Sequence, residues 1–277
     1  MQPVRLPRAL RICSAALALC AASSAAFSQQ SPALDRVGIW LGGYYSSNDT
    51  SLSAQGSGPY AGLYGKLNFE DDLGFDKHSV DPRARLDFLL GDSQGFSFDY
   101  YQIDRDLSAS YAAPIPALGT DVGASLKSTV DYDFGSASYR WWFGHGDDVF
   151  GLGLGAAYYN VDFRVDGSAE AAGQGATISE SYDENAWAPM LTLGWRHAFD
   201  EHWRMYIDAS GVKKNGGDLS GNIWNASLGV EWFPWQNVGF ALEYAASRLH
   251  LDKDYDQGAA KLDLNSDGPA FYLRARF

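Results

Sequence analysis

Apolar and polar residues alternate with a period of two along most of this chain. In 224–233 one parity reads Trp224, Ala226, Leu228, Val230 and Trp232, against Asn225, Ser227, Gly229 and Glu231. The stretch 238–245 repeats this, with Val238, Phe240, Leu242 and Tyr244 against Gly239, Ala241, Glu243 and Ala245. Similar alternation runs through 82–90, 150–156, 203–210 and 268–277. Successive side chains of a strand point to opposite faces, so each stretch predicts a strand with one apolar and one polar face.

Two kinds of join separate these strands. Tight joins fall at 91–95, 144–148, 199–203 and 234–237. Longer polar stretches fall at about 50–78, 107–125, 166–182, 213–221 and 252–266. Short turns at one rim and long loops at the other are the pattern of a transmembrane β-barrel. Four turns join eight strands. One strand over 37–45 precedes the first long loop, and one follows the last and ends at Phe277. The prediction is an all-β antiparallel barrel of about ten strands, within a range of 8–12. Segment 59–75 is either a further hairpin arm or a loop folded over or into the lumen. Aromatics gather toward the predicted strand ends (Tyr44, Tyr45, Tyr100, Tyr101, Tyr139, Trp141, Trp142, Trp187, Trp195, Trp203, Trp232 and Trp235). Such belts suit membrane interfaces and favour lipid over a soluble β-sandwich. A mean hydropathy of −0.25 does not oppose this, because only alternate residues of a barrel strand face lipid.

The N-terminus changes the picture of compartment. Arg5, Arg8 and Arg11 precede a short apolar run from Ile12 to about Ala22, followed by small residues. This reads as a secretory signal peptide, 1–28, with cleavage after Ser28 preferred over Ala26. The barrel domain is then 29–277. Both cysteines, Cys13 and Cys20, lie in the leader, so the expected mature chain has no disulfide to stabilise it. The net charge is −13, and removing the leader's arginines makes the remainder more acidic. That excludes a basic nucleic-acid-binding surface. Aromatic content of 14% excludes a disordered chain.

The chain closes on Phe271, Leu273 and Phe277, alternating with Tyr272, Arg274 and Arg276. This terminal pattern resembles the C-terminal signal of Gram-negative outer-membrane β-barrel proteins. The resemblance implies an outer-membrane location and partners in the barrel assembly machinery and periplasmic chaperones. It makes Phe271, Leu273 and Phe277 the assembly signal and implies contact with outer-membrane lipid and lipopolysaccharide.

The predicted lumen face collects charge. It carries Arg83, Arg85, Asp87, Asp99, Arg140 and Arg196, and further along Arg204, Asp208, Glu231, Glu243, Arg274 and Arg276. One reading is a ladder of ion pairs filling a narrow barrel. The other is a charge-lined channel, for which glycines at 151–155 would leave room. Asp263, Asn265 and Asp267 stand at calcium-loop spacing before Gly268, a half-motif for calcium or magnesium in an outer loop. Arg274 occupies the position where that motif needs a glutamate. No cofactor is otherwise expected. No His-x-Ser arrangement of the outer-membrane lipase kind occurs, and Asp131 and Asp133 fall inside a predicted strand. The expected function is a non-enzymatic barrel, either a narrow channel or a closed structural one. A surface ligand- or cation-binding barrel is the first alternative. A lipid A-modifying or proteolytic enzyme is the second.

Overall fold

In a computed structural model the described residues are 31–56, 64–72, 74, 76–115, 120–171, 174–214, 219–255 and 258–277. The expected leader lies outside them. Eleven strands form: β1 (Val37–Gly56), β2 (Tyr64–Asn68), β3 (His78–Leu90), β4 (Gln94–Ile115), β5 (Thr120–Phe143), β6 (Asp148–Ala171), β7 (Gln174–Ala198), β8 (Trp203–Lys214), β9 (Leu219–Trp232), β10 (Val238–Tyr255) and β11 (Gly258–Arg276). Ten of them close an antiparallel barrel in which β11 returns to β1. At the seam the Val37 and Phe277 backbones exchange hydrogen bonds of 3.0 and 2.9 Å. Closure leaves no sheet edge in lipid, which could not hydrate one.

The outward face explains why the barrel needs lipid. On β6 it shows Phe150, Leu152, Leu154, Ala156 and Tyr158, and on β7 Trp195, Leu193, Leu191, Pro189 and Trp187. Leu154, Leu191, Leu228 and Leu242 are each half exposed or more. Five outward positions span nine residues, roughly 30 Å along a strand. Tilted, that length matches an apolar band of about 25 Å. Trp141, Trp195, Trp203 and Trp232 ring its periplasmic end. Tyr45, Tyr100, Tyr158, Trp187, Trp224 and Tyr244 ring its outer end. Three aromatics expected in these girdles are corrected: Tyr44, Tyr101 and Trp142 have the opposite parity and are buried inside.

Above the outer ring the parity of the pattern reverses. On β4 the outward set changes from Phe96, Phe98 and Tyr100 to Gln102 and Asp104. The inward set changes from Ser97 and Asp99 to Tyr101 and Ile103. On β5 the inward set changes from Arg140, Ser138 and Ser136 to Phe134 and Tyr132, while Asp133 and Asp131 face out. The strands continue into water with their apolar side now turned inwards. The stretches 107–125, 166–182 and 252–266, expected as loops, are therefore largely strand. β4, β5, β6 and β7 reach 22, 24, 24 and 25 residues.

The outer wall is uneven. β3 pairs with β4 only up to Arg83 and Tyr101, and β8 pairs with β7 only up to Val212 and Met190. The next residues of β3 and β7 at these breaks are Pro82 and Pro189, which have no N–H to extend a ladder. The outer part of β7 thus has no ladder partner on that side among the described residues. β2 is a short arm paired with Ser51–Gln55 of β1. Beyond it Phe69 and Glu70 turn inwards. The Glu70 carboxylate accepts from the Thr50 N–H at 2.7 Å and from Arg105 at 2.6 Å. Segment 59–75 therefore adds an arm without adding a barrel strand, and its end folds against the inner wall; 57–63 lie outside the described residues.

Candidate functional site: the filled interior

The interior is built in layers. At the periplasmic mouth, residues 31–36 enter the barrel ahead of β1. Ala33 packs in a cluster with Leu89, Trp142, Val149 and Ala198. Ser31 Oγ donates to the Gly146 carbonyl at 2.6 Å, and Arg36 to the Gly91 carbonyl at 2.7 Å. Asp35 is gripped by Arg204 at 2.8 Å and Arg274 at 2.6 Å. Sequence reasoning missed Asp35, because it precedes the first alternating stretch and only the fold carries it inside.

Above this lies a layer of ion pairs. Arg83 bridges Asp99 at 2.7 Å and Glu243 at 2.9 Å. Arg85 reaches Asp208 at 3.2 Å and both Asp99 and Glu243 at 3.5 Å. Arg140 and Arg196 hold Asp208 at 2.8 and 3.0 Å, and Arg196 lies 3.8 Å from Asp87. Arg274 also holds Glu231 at 2.8 Å. With Asp35 included, six arginines meet six carboxylates, so the layer is formally neutral. Glu243 is its most enclosed acid, at 1% exposure. It also accepts from the Tyr206 hydroxyl at 2.7 Å and from Tyr272 at 3.2 Å. Four donors occupy the lone pairs of this carboxylate, which offsets its removal from water. Arg276 stands apart: it donates to the carbonyls of Gln236 and Glu201 at the rim and covers Phe233.

The inward glycines are filled against rather than open. Gly151 and Gly194 seat the Trp142 ring, and a Cβ at Gly151 would lie 2.8 Å from it. Above the ion pairs a cavity of about 60 Å³ is lined by hydroxyls, among them Ser97, Ser136, Ser138, Thr192, Ser227 and Ser266. That is room for a few ordered waters. Its roof is an apolar cluster of Tyr101, Ile103, Tyr132, Phe134, Tyr159, Met190, Val212, Ile223 and Leu249. Tyr101 and Phe134 stack at 4.7 Å.

The candidate calcium loop does not form. Asp263, Asn265 and Asp267 lie on the outward face of regular strand β11, where successive outward residues are about 7 Å apart. Asp263 accepts from His250, and Asp267 from the Tyr244 hydroxyl. No group of three metal-ligating side chains occurs among the described residues. His250 also lies 3.0 Å from Asp252. The Asp263 hydrogen bond raises the His250 pKa above its ordinary value; partial burial opposes this, and the charges of Asp263 and Asp252 add to it. All three residues face outwards, away from the lumen. Phe271, Leu273 and Phe277 also face outwards, each close to half exposed.

No family model matches this chain, and no curated protein matches it. Solved structures do. The outer-membrane protease OmpT of Escherichia coli is 11% identical, over 92% of this chain and 99% of its own, with a TM-score of 0.58. The fold is that of an outer-membrane β-barrel. The outer-membrane protein OprG of Pseudomonas aeruginosa is 8% identical, over 90% of this chain and 100% of its own, with a TM-score of 0.39. At 11% identity the likeness to OmpT concerns the fold alone. The apolar band, the two aromatic rings and the sealed seam carry the membrane assignment independently.

Proposed function

We propose that this protein is a closed, non-conducting outer-membrane barrel whose working surface lies outside the bilayer. The observation that carries this reading is the neutral layer of six arginines and six carboxylates, stoppered from below by residues 31–36. A conducting pore needs a water path with weak, successive ion sites. Here every charged group of that layer is held by a partner, and the cavity above it is capped by aromatics. The ion-paired lower half anchors the outer strands, of which β7 offers an edge unpaired among the described residues. Such an edge suits an extended segment of a binding partner. Planar-bilayer recording tests the reading. The folded protein stays silent, and discrete conductance steps from it would overturn the proposal.

A hydrolytic reading is favoured only by the Asp252–His250–Asp263 group. A histidine between two carboxylates is a possible base. Both of its side-chain partners are carboxylates, with no hydroxyl or thiol among them, and it faces away from the interior. His250→Ala abolishing a measured peptidase or esterase activity would support it.

A further inference from the structure

Just above the outer aromatic ring the outward face carries an acidic row on one sector and, on another, a cluster of cations bordered by the acids of β10 and β11. On β4–β7 the register places Asp104, Asp131, Asp162 and Asp183 in one cross-strand row. On β8–β10 it places Lys213 beside Asn222 and Asn222 beside His250, with Trp224 beside Arg248 one step below. Lys213, Asn222, Trp224 and Arg248 are exposed. Adjacent strands are about 4.8 Å apart and alternate residues about 7 Å apart. Lys213, Arg248 and His250 therefore surround Asn222 and Trp224 within about 12 Å of one another.

We infer that this patch binds the phosphorylated headgroup of an outer-leaflet glycolipid. Three observations carry it. First, Arg248 has no carboxylate partner among the described residues. Its guanidinium lies 5.5 Å from the Trp224 ring centre, and its cross-strand partner on β11 is the neutral Asn265. The two diagonal acids, Asp263 and Asp267, are already hydrogen-bonded by His250 and Tyr244. Asp252 likewise faces His250 and Lys261. Second, Trp224 closes the outward apolar series of β9, after Leu228 and Ala226, so the patch sits at headgroup height. Third, the sector across the barrel is acidic at that level and repels phosphate, so the contact is one-sided. Arginine presents a planar fork to phosphate oxygens, lysine a mobile point charge, and asparagine a neutral donor between them.

The test uses the folded protein purified in detergent, and bisphosphorylated lipid A as the probe. Its thermal unfolding midpoint is followed by heat-modifiable migration. Added lipid A should raise the midpoint, and R248Q/K213Q should lose more than half of that shift. D162N/D183N, in the acidic sector, should retain it. Lipid A stripped of its phosphates should give little shift. The proposal is overturned if R248Q/K213Q keeps the full shift. It is also overturned if inorganic phosphate alone reproduces the shift, which would mean an adventitious ion only. Native mass spectrometry of bound lipid A gives a second readout if the double variant is recovered poorly.

Discussion

The lower and upper halves of this barrel follow opposite rules with the same strands. Below the outer aromatic ring, leucine and phenylalanine face out and arginine, aspartate and serine face in. Above it, aspartate, asparagine and arginine face out, while Tyr101, Phe134, Tyr132 and Leu249 face in. The strand geometry does not change; the solvent does. In hydrocarbon the outer face must be apolar and the charges must find partners within. In water the same sheet needs an apolar interior to hold its walls together. The level at which parity reverses therefore marks the membrane surface more directly than hydropathy.

The greatest expected effect comes from the charged layer of the lower half. Glu243→Ala leaves Arg83 and Arg85 short of a carboxylate and strands two tyrosine hydroxyls. Loss of one member of a buried pair typically costs about 3–5 kcal/mol, measurable as unfolding free energy in lipid. A change near zero would mean that water enters the layer freely. Next in size is the outward face. Leu228→Arg should cost about 2–4 kcal/mol near the bilayer midplane. Asp162→Leu, on the same face above the ring, should by contrast change stability little. Equal costs at the two sites would abolish the distinction between the halves.

Smaller effects probe the upper half alone. Asp162 stands between Asp131 and Asp183 on neighbouring strands. Directly opposed like charges on a sheet destabilise by roughly 0.2–1 kcal/mol. Asp162→Asn should thus stabilise slightly at low salt and not at high salt. A destabilisation at low salt would show that the row is held by something other than its neighbours. The smallest effect is a pH dependence at His250. Its pKa is raised by Asp263, so protonated His250 stabilises the outer β10–β11 hairpin fully below its unfolded value. That contribution disappears as pH rises through the raised, folded value. The protection factors of this hairpin's amides, which remove the intrinsic pH dependence of exchange, should fall over that window in the native chain and fall less in Asp263→Asn.

Much of the lower half was legible in the sequence, since lipid outside and partners inside impose a strict period of two. Barrel class, strand number near ten and the tight periplasmic turns all follow from that period. So do eleven of the charges later found in the ion-pair layer. The upper half misled the reading. Its strands carry polar residues outward and small residues at many positions, which in a linear sequence resemble loops. Pro82 and Pro189 were a readable sign of where two ladders stop, but only once those stretches are known to be strand.

The sequence by itself determined the alternation, and with it the all-β membrane class and which residues of a strand share a face, because side-chain direction in a strand is local. Tertiary structure decided what that alternation could not. It brought Asp35 from before the first strand to Arg204 and Arg274, and set Glu243 among donors from three other strands. It filled the glycine gap with Trp142 and pulled Asp263 away from a calcium loop towards His250. Each of these depends on barrel closure and register, which juxtapose residues up to 239 positions apart, and no local pattern encodes such distances.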